Sequence, residues 1–392
     1  MPKTGITTLT VLAACAFAAA CGPGVNLPGV HEPLDSKEWA RCAEDLSHRE
    51  TISLIDDLTL DSKTLLCEGV VLAASGKVEE GLELLAEAGV RDKEDHRPHY
   101  LAGRILGENK RYEEALTAFE RSRARFAGME VPTERLGRRV REKDGDDAAR
   151  RFLLLADQRK LCPYGCQGLL AELHHTAGEI DEAEKIYERM VKLDPAEPVA
   201  YVGLARVANS RGDHVAESEF LTKATKAPKF LELGIGSQAD LHYSHAFSRY
   251  NARKYSGAAA SMERAFALIE GPADWRVLAG WIQLRLGNGA AALAEFDRAV
   301  AMDAKLPAAR IGRGDALLEI GRGADAVAAF EQARELDRAD AVVLLKLALA
   351  VAVEGDLARA QALFDDATRL DAAKLPQDLV QKIRALIDGG SQ

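Results

Sequence analysis

The sequence predicts an all-α fold: an α-solenoid of about nine helix-turn-helix units, closed by a C-terminal capping helix. Three observations predict it. First, aromatic residues are only 6% of a chain that is 47% hydrophobic, and most of that apolar share is alanine and leucine, which favours helix over sheet. Second, glycines recur 34 residues apart, at Gly178 and Gly212 and again at Gly287, Gly321 and Gly355. Third, side-chain size repeats on the same beat. With 392 residues the chain has the length of two to four globular domains or one long array. Its 29% charged content excludes a polytopic membrane protein, and its 47% hydrophobic content excludes a disordered polar chain. The net charge of −10 argues against a broad nucleic-acid-binding surface.

Residues 1–20 read as a targeting segment. Lys3 precedes an apolar stretch from Ile6 to Ala20 that is too short for a membrane span and the right size for a signal h-region. The run Ala18-Ala19-Ala20-Cys21-Gly22 resembles the lipobox of bacterial lipoproteins. That resemblance implies a signal peptide cut before Cys21, a diacylglyceryl group with palmitate-type chains on its thiol, and a protein anchored in the cell envelope, at the periplasmic face of the outer membrane. Cys15, in Leu12-Ala13-Ala14-Cys15, is the alternative lipidation site; it leaves a shorter h-region and no flexible tether directly after it. An ordinary secretory signal with incidental cysteines is the third reading, and all three export the chain. Residues 21–35, with Pro23, Pro28 and Pro33, form an extended tether. Asp35-Ser36 can cap a helix at the start of an N-terminal helical segment, 36–61.

The repeat frame then starts units at 62, 96, 130, 164 and 198, pauses for an insertion at 232–238, and resumes at 239, 273, 307 and 341. Frame position 8 is always small: Gly69, Gly103, Gly137, Ala171, Ala205, Ala246, Gly280, Gly314 and Ala348. Position 24 is always large and apolar: Leu85, Phe119, Leu153, Tyr187, Leu221, Met262, Phe296, Phe330 and Phe364. Position 20 is small except at Glu217, and position 27 is small except at Met190. Position 15, where the first helix must end, is glycine in six of the nine units. Small residues let paired helices approach, large ones fill the space between, and hairpins too small to stand alone gain stability by stacking. The unit from Gly178-Glu179-Ile180-Asp181-Glu182-Ala183 through Tyr187 to Leu193-Asp194-Pro195 resembles the tetratricopeptide repeat. The last three units carry Ala304, Arg338 and Ala372 in place of that family's terminal proline, and unit 130–163 is the weakest match. Residues 375–392 hold a final helix, opened by Pro376-Gln377-Asp378, and a tail; the helix caps the last unit.

Nine units and a cap leave no stretch for a catalytic domain. GxxxxGK[ST], GxGxxG, HExxH and GxSxG motifs are absent, so no catalytic residue, cofactor, metal or small-molecule substrate is expected. His96 with His99, and His242 with His245, share helical faces as metal ligands could, but frame positions 4 and 7 pack between helices, so structural roles are expected. Export makes disulfides among Cys42, Cys67, Cys162 and Cys166 the expectation, with Cys162–Cys166 in a loop and Cys42–Cys67 tying the N-terminal segment to the first unit; buried free thiols are the alternative. Arg211-Gly212-Asp213 and Arg313-Gly314-Asp315 follow from the frame.

In tetratricopeptide arrays the first-helix positions 2, 5, 9 and 12 line the concave face. By that resemblance a partner groove runs from a cationic half, Arg97, Tyr100, Arg104, Glu134, Arg138, Arg141 and Arg206, to an apolar half, Tyr243, Phe247, Tyr250, Val277, Trp281, Leu284, Ile311 and Leu318. The expectation is a non-enzymatic protein-protein interaction scaffold that holds a partner protein or peptide segment there and assists assembly of an envelope complex. The alternative is a cell-wall (peptidoglycan) enzyme or its regulator.

Overall fold

The computed structural model describes residues 62–128, 131–337 and 339–389. Among them every regular element is helical and none is a strand. Cys15, Cys21, Cys42, the tether and the segment 36–61 lie outside the described residues. The chain divides into two compact bodies, one ending at Met190 and one beginning at Val191.

In the first body the hairpins are α1 (Ser62–Ala74) with α2 (Val78–Arg91), α3 (Arg97–Glu108) with α4 (Tyr112–Arg125), α5 (Thr133–Asp144) with α6 (Asp146–Gln158), and α7 (Tyr164–Thr176) with α8 (Ile180–Leu193). In the second they are α9 (Pro198–Ser210) with α10 (His214–Lys226), α11 (Ile235–Asn251) with α12 (Tyr255–Leu268), α13 (Ala273–Arg285) with α14 (Gly289–Met302), α15 (Pro307–Glu319) with α16 (Gly323–Leu336), and α17 (Ala341–Val353) with α18 (Leu357–Asp371). A last helix, α19 (Gln377–Gly389), packs on α17 and α18. Second helices pack on the first helix of the following hairpin, as α2 does on α3, α10 on α11 and α16 on α17, so each body is built by α-solenoid stacking.

The turns show why the beat holds. In eight of the nine hairpins the first helix closes with a backbone N–H donating five residues back, for example Glu179 to the His174 carbonyl at 2.9 Å and Arg322 to the Leu317 carbonyl at 2.8 Å. This geometry needs a positive φ just before the donor. Glycine supplies it at Gly76, Gly178, Gly212, Gly287, Gly321 and Gly355, whereas Lys110 and Arg253 adopt φ of 62° and 58° at the same place. The exception is the hairpin α5–α6, whose turn falls one residue late on Gly145, at φ 88°. Pro132, ahead of Thr133, starts that repeat's first helix three residues into its frame.

Packing follows the size code. All nine position-27 side chains, from Ala88 to Ala367, are fully buried, the exception Met190 among them. The Met190 methyl reaches toward Gly168, where a Cβ would lie at an ordinary contact distance of 3.4 Å. Glu217, the exception at position 20, is buried with its carboxylate 3.1 Å from His214 Nδ1. A 3-10 turn at Pro228–Glu232 ends where the insertion 232–238 begins, and the later residues of the insertion become the first turn of α11, which is therefore 17 residues long. Gln238 Nε2 donates to the Leu233 carbonyl at 2.7 Å and holds that junction.

Phe296 shows the constraint at its tightest. Its ring is fully buried between Gly280 of its own repeat and Gly312 of the next, and a Cβ on Gly280 would stand 2.6 Å from its ring tip. Alanine in a helix interior normally stabilises by about 0.5–1 kcal/mol over glycine. Here the ring has no direction in which to give, so overpacking of about 1–3 kcal/mol dominates. Gly280→Ala is expected to destabilise the second body, read as a lower urea midpoint; an unchanged or higher midpoint contradicts this packing account.

Candidate functional site

The first helices carry the side chains that the sequence assigns to a groove, and the two bodies treat them differently. In the first body most of the arginines are already engaged. Arg97 makes a bidentate pair with Asp95 at 2.9 to 3.2 Å. Burial pushes the Asp95 carboxyl up, but the Arg97 hydrogen bonds and charge outweigh it and hold the carboxyl below its usual range. Arg138 pairs with Glu134 one turn away at 2.9 Å. Arg141 reaches Asp146 at 2.8 Å and Glu172 at 2.9 Å, tying α5 to the two helices that follow. Tyr100 packs against Phe119 with ring centroids 6.0 Å apart.

Arg104 is engaged as well, and its side chain also borders a surface opening. It lines a shallow opening, continuous with solvent, together with Glu108, Phe119, Pro132, Arg135, Leu136 and Arg139. Glu108 is taken by Arg139 and, at 3.7 Å, by Lys143. Arg135, Arg139 and Lys143 occupy frame positions 6, 10 and 14, a stripe one residue round the helix from positions 5 and 9. Sequence reasoning passed over them because it followed only the positions assigned to the concave face; an arginine at i, i+4 with a lysine at i+8 was the available signal.

In the second body Arg206 is exposed. Tyr243 stacks on Trp275 at 4.8 Å with the ring planes 6° apart. Tyr250 lies 5.7 Å from Tyr255 and accepts a hydrogen bond from Arg285. Trp281 presents its ring edge-on to Phe296 at 5.3 Å, with Lys346 Nζ 5.9 Å from its centroid. Lys346 in turn grips Asp315 through both carboxylate oxygens at 2.6 and 2.7 Å. Burial raises the Asp315 carboxyl even so, against the opposing pull of Lys346 and Arg285. Leu284, Ile311 and Leu318 are half-buried against the following hairpins. Val277 is buried and presents no surface, a correction to its place in the expected stripe: it packs with Ala292 and Phe296. Phe247 is the aromatic of this face that stands out, 44% exposed between Tyr243 and Tyr250.

The histidines and cysteines serve the scaffold. The His96 ring packs on Phe126 at 5.0 Å, and half-buried His99 is held below its ordinary pKa by burial and by Arg125 and Arg121. Among the described residues no group of three His, Cys, Asp or Glu side chains could hold a metal ion. Cys162 and Cys166 form a disulfide that closes the loop into α7. Cys67 is also disulfide-bonded, and its expected partner Cys42 lies outside the described residues. No described helix is long and apolar enough to cross a membrane.

His245 is buried between α10 and α11. Thr222 Oγ1 donates to the Ser218 carbonyl at 2.8 Å, so at 3.0 Å from His245 Nε2 it accepts the ring N–H, which leaves Nδ1 bare and without a partner. His242, one turn away, has an equally unpartnered Nδ1 and packs its ring on Phe230.

Family models described as "Tetratricopeptide repeat" match residues 68–130, 243–307 and 311–374, and a second such model matches 166–207. Together they span more than half of the chain. No curated protein matches it. Among solved structures, YrrB, a TPR protein with an unusual peptide-binding site, is 18% identical with a TM-score of 0.41, over 50% of this chain and 97% of its own. PilF of Pseudomonas aeruginosa is 16% identical at 0.45, over 57% and 96%. The Cut9–Hcn1 heterotetramer of APC/C is 13% identical at 0.45, over 86% of this chain and 66% of the other.

Burial depresses the His245 pKa to about 3, and Arg249, His242 and Arg264 add to the effect. The fold therefore holds the ring neutral, and its contribution is full above the ordinary value near 6.5 and lost as pH falls toward 3. A loss of up to about 2 kcal/mol is expected by pH 5. Urea titrations of the protein and of His245→Gln at pH 7 and pH 5 check this; the variant's acid-induced drop should be smaller, and equal drops would contradict the assignment.

Proposed function

The chain belongs to the tetratricopeptide-repeat family, and from that premise we propose that it is a non-enzymatic, lipid-anchored scaffold of the bacterial envelope. Such repeats bind protein or peptide partners and are in general not enzymes. The first-helix faces hold a partner polypeptide, and that capture assists assembly of an envelope complex. One observation carries the reading: Phe247 is 44% exposed while the aromatic residues on either side of it along α11, Tyr243 and Tyr250, are half-buried. An exposed ring on the same helix as two half-buried tyrosines has the form of an interface anchor. The anchor to the membrane is Cys21, supported by Lys3, the apolar run that follows it and the tether after it. The outer membrane, facing the periplasm, is the proposed location.

Two outcomes test this. Phe247→Ala removes an exposed side chain, so the fold should survive, with unchanged helical circular dichroism. In-cell crosslinking followed by mass spectrometry should then recover the major partner several-fold less well; undiminished recovery counts against the groove. Cys21→Ser should move the protein from the membrane fraction to the soluble envelope fraction, whereas Cys15→Ser should leave it membrane-bound. The reverse pattern assigns the lipid to Cys15, and retention in both variants removes the anchor.

A further inference from the structure

We propose that the second body carries a membrane-surface contact of its own, in which Leu193, Leu231 and Ile235 enter the boundary layer of an anionic phospholipid bilayer and neighbouring lysines meet its headgroups. This goes beyond the scaffold reading: it is a second attachment, separate from the lipid on Cys21 and from the partner groove.

The apolar side chains come first. Leu231, 78% exposed, and Leu193 and Ile235, each 61% exposed, are the most exposed large apolar residues among those described in the second body. They lie at one junction, where the insertion 232–238 breaks the repeat frame. The Lys229 backbone N–H donates to the Ala196 carbonyl at 3.1 Å. Its Nζ lies 2.6 Å from Asp194 and 3.4 Å from Glu197, which fastens the 3-10 turn to the residues just after Leu193. Gln238 Nε2 holds the Leu233 carbonyl, midway in sequence between Leu231 and Ile235. Phe230 and Leu233 pack with Leu221 and Leu241, so the junction has a core of its own and still leaves Leu231 and Ile235 outside it. Single exposed leucines are ordinary on a protein surface, whereas three at one fastened junction form a patch.

The flanking charges say what covers that patch. Lys192, Lys223 and Lys226 are exposed and make no ion pair among the described residues, while Lys229 answers Asp194 and Glu197. Glu232 is the one acid in the segment from Lys226 to Gly236. Cations beside protruding aliphatic side chains suit an anionic bilayer surface, whose phosphates attract the lysines while the acyl boundary takes up the apolar groups. Side chains this exposed project from the surface and enclose no groove. A fluid layer that moulds around them fits better than a partner of fixed shape.

The test is cosedimentation of the full mature chain from residue 21, made with Cys21→Ser so that it carries no lipid, with vesicles of phosphatidylglycerol and phosphatidylcholine. Binding is expected that weakens at high salt and on vesicles of phosphatidylcholine alone. The double variant Leu231→Ser, Ile235→Ser, altered only at exposed side chains, should keep its circular dichroism and bind roughly tenfold or more weakly. Lys226→Glu should bind at least about fivefold more weakly, and Glu232→Lys at least about fivefold more tightly. The proposal is overturned if the parent does not sediment with the vesicles, if the double variant binds as well as the parent, or if Glu232→Lys binds no more tightly. It is also overturned if the parent self-associates in sedimentation velocity, the double variant does not, and neither binds vesicles, which would make the patch a contact between two copies. Phe247→Ala should bind vesicles as the parent does, and a loss equal to that of the double variant would likewise overturn the assignment. Neither the Cys21 lipid nor a partner is present in this assay, so its failure leaves the anchor and the groove standing.

Discussion

Close approach of two helix backbones, permitted by small residues and filled by one large side chain, is the constraint on which the molecule depends. Gly69 and Gly81 of the first hairpin illustrate the limit: a Cβ on Gly69 would come within 2.8 Å of the Gly81 carbonyl oxygen. A hairpin that tight has little interior of its own, so its large position-24 residue must complete the surface of its neighbours. Phe119, Phe296 and Phe330 are fully buried for this reason. Local size choice thus becomes long-range order by nearest-neighbour contact, with no residue needing to find a distant partner.

That logic also says what was readable in advance. Fold class and hairpin turns were legible, because glycine at φ near +75° to +90° and a one-in-34 size code leave a direct trace in residue identity. Where the trace blurred, physics had substituted something else. Lys110 and Arg253 accept a left-handed backbone without glycine, and Met190 is fully buried at a position where the other units carry a small residue. The insertion did not stay a loop, since Gln238 could fix the junction and let α11 begin early.

The candidate site was less legible. Which arginine is spent on an internal acid depends on neighbours 30 residues away, as with Arg141 and Glu172, and no local pattern reveals it. Position alone also placed Val277 on a surface, whereas its burial depends on how far the following hairpin rolls over it. Conversely, Arg135 and Arg139 carry no family signature and emerge only when α3, α4 and α5 are seen to leave a space between them.

Helix α17 has one charge, Lys346, in the run from Ala341 to Val353, and ten of its thirteen residues are buried. Its cover comes from both sides, α15 and α16 before it and α19 after it, with Val380 and Ile383 supplying the outer contact. A greasy rod of that kind tolerates no half measures in shortening the chain. A protease nick or a shortened expression product ending between 353 and 377 would strand it in water as sticky surface, whereas one ending before Ala341 would remove the hazard along with its lid.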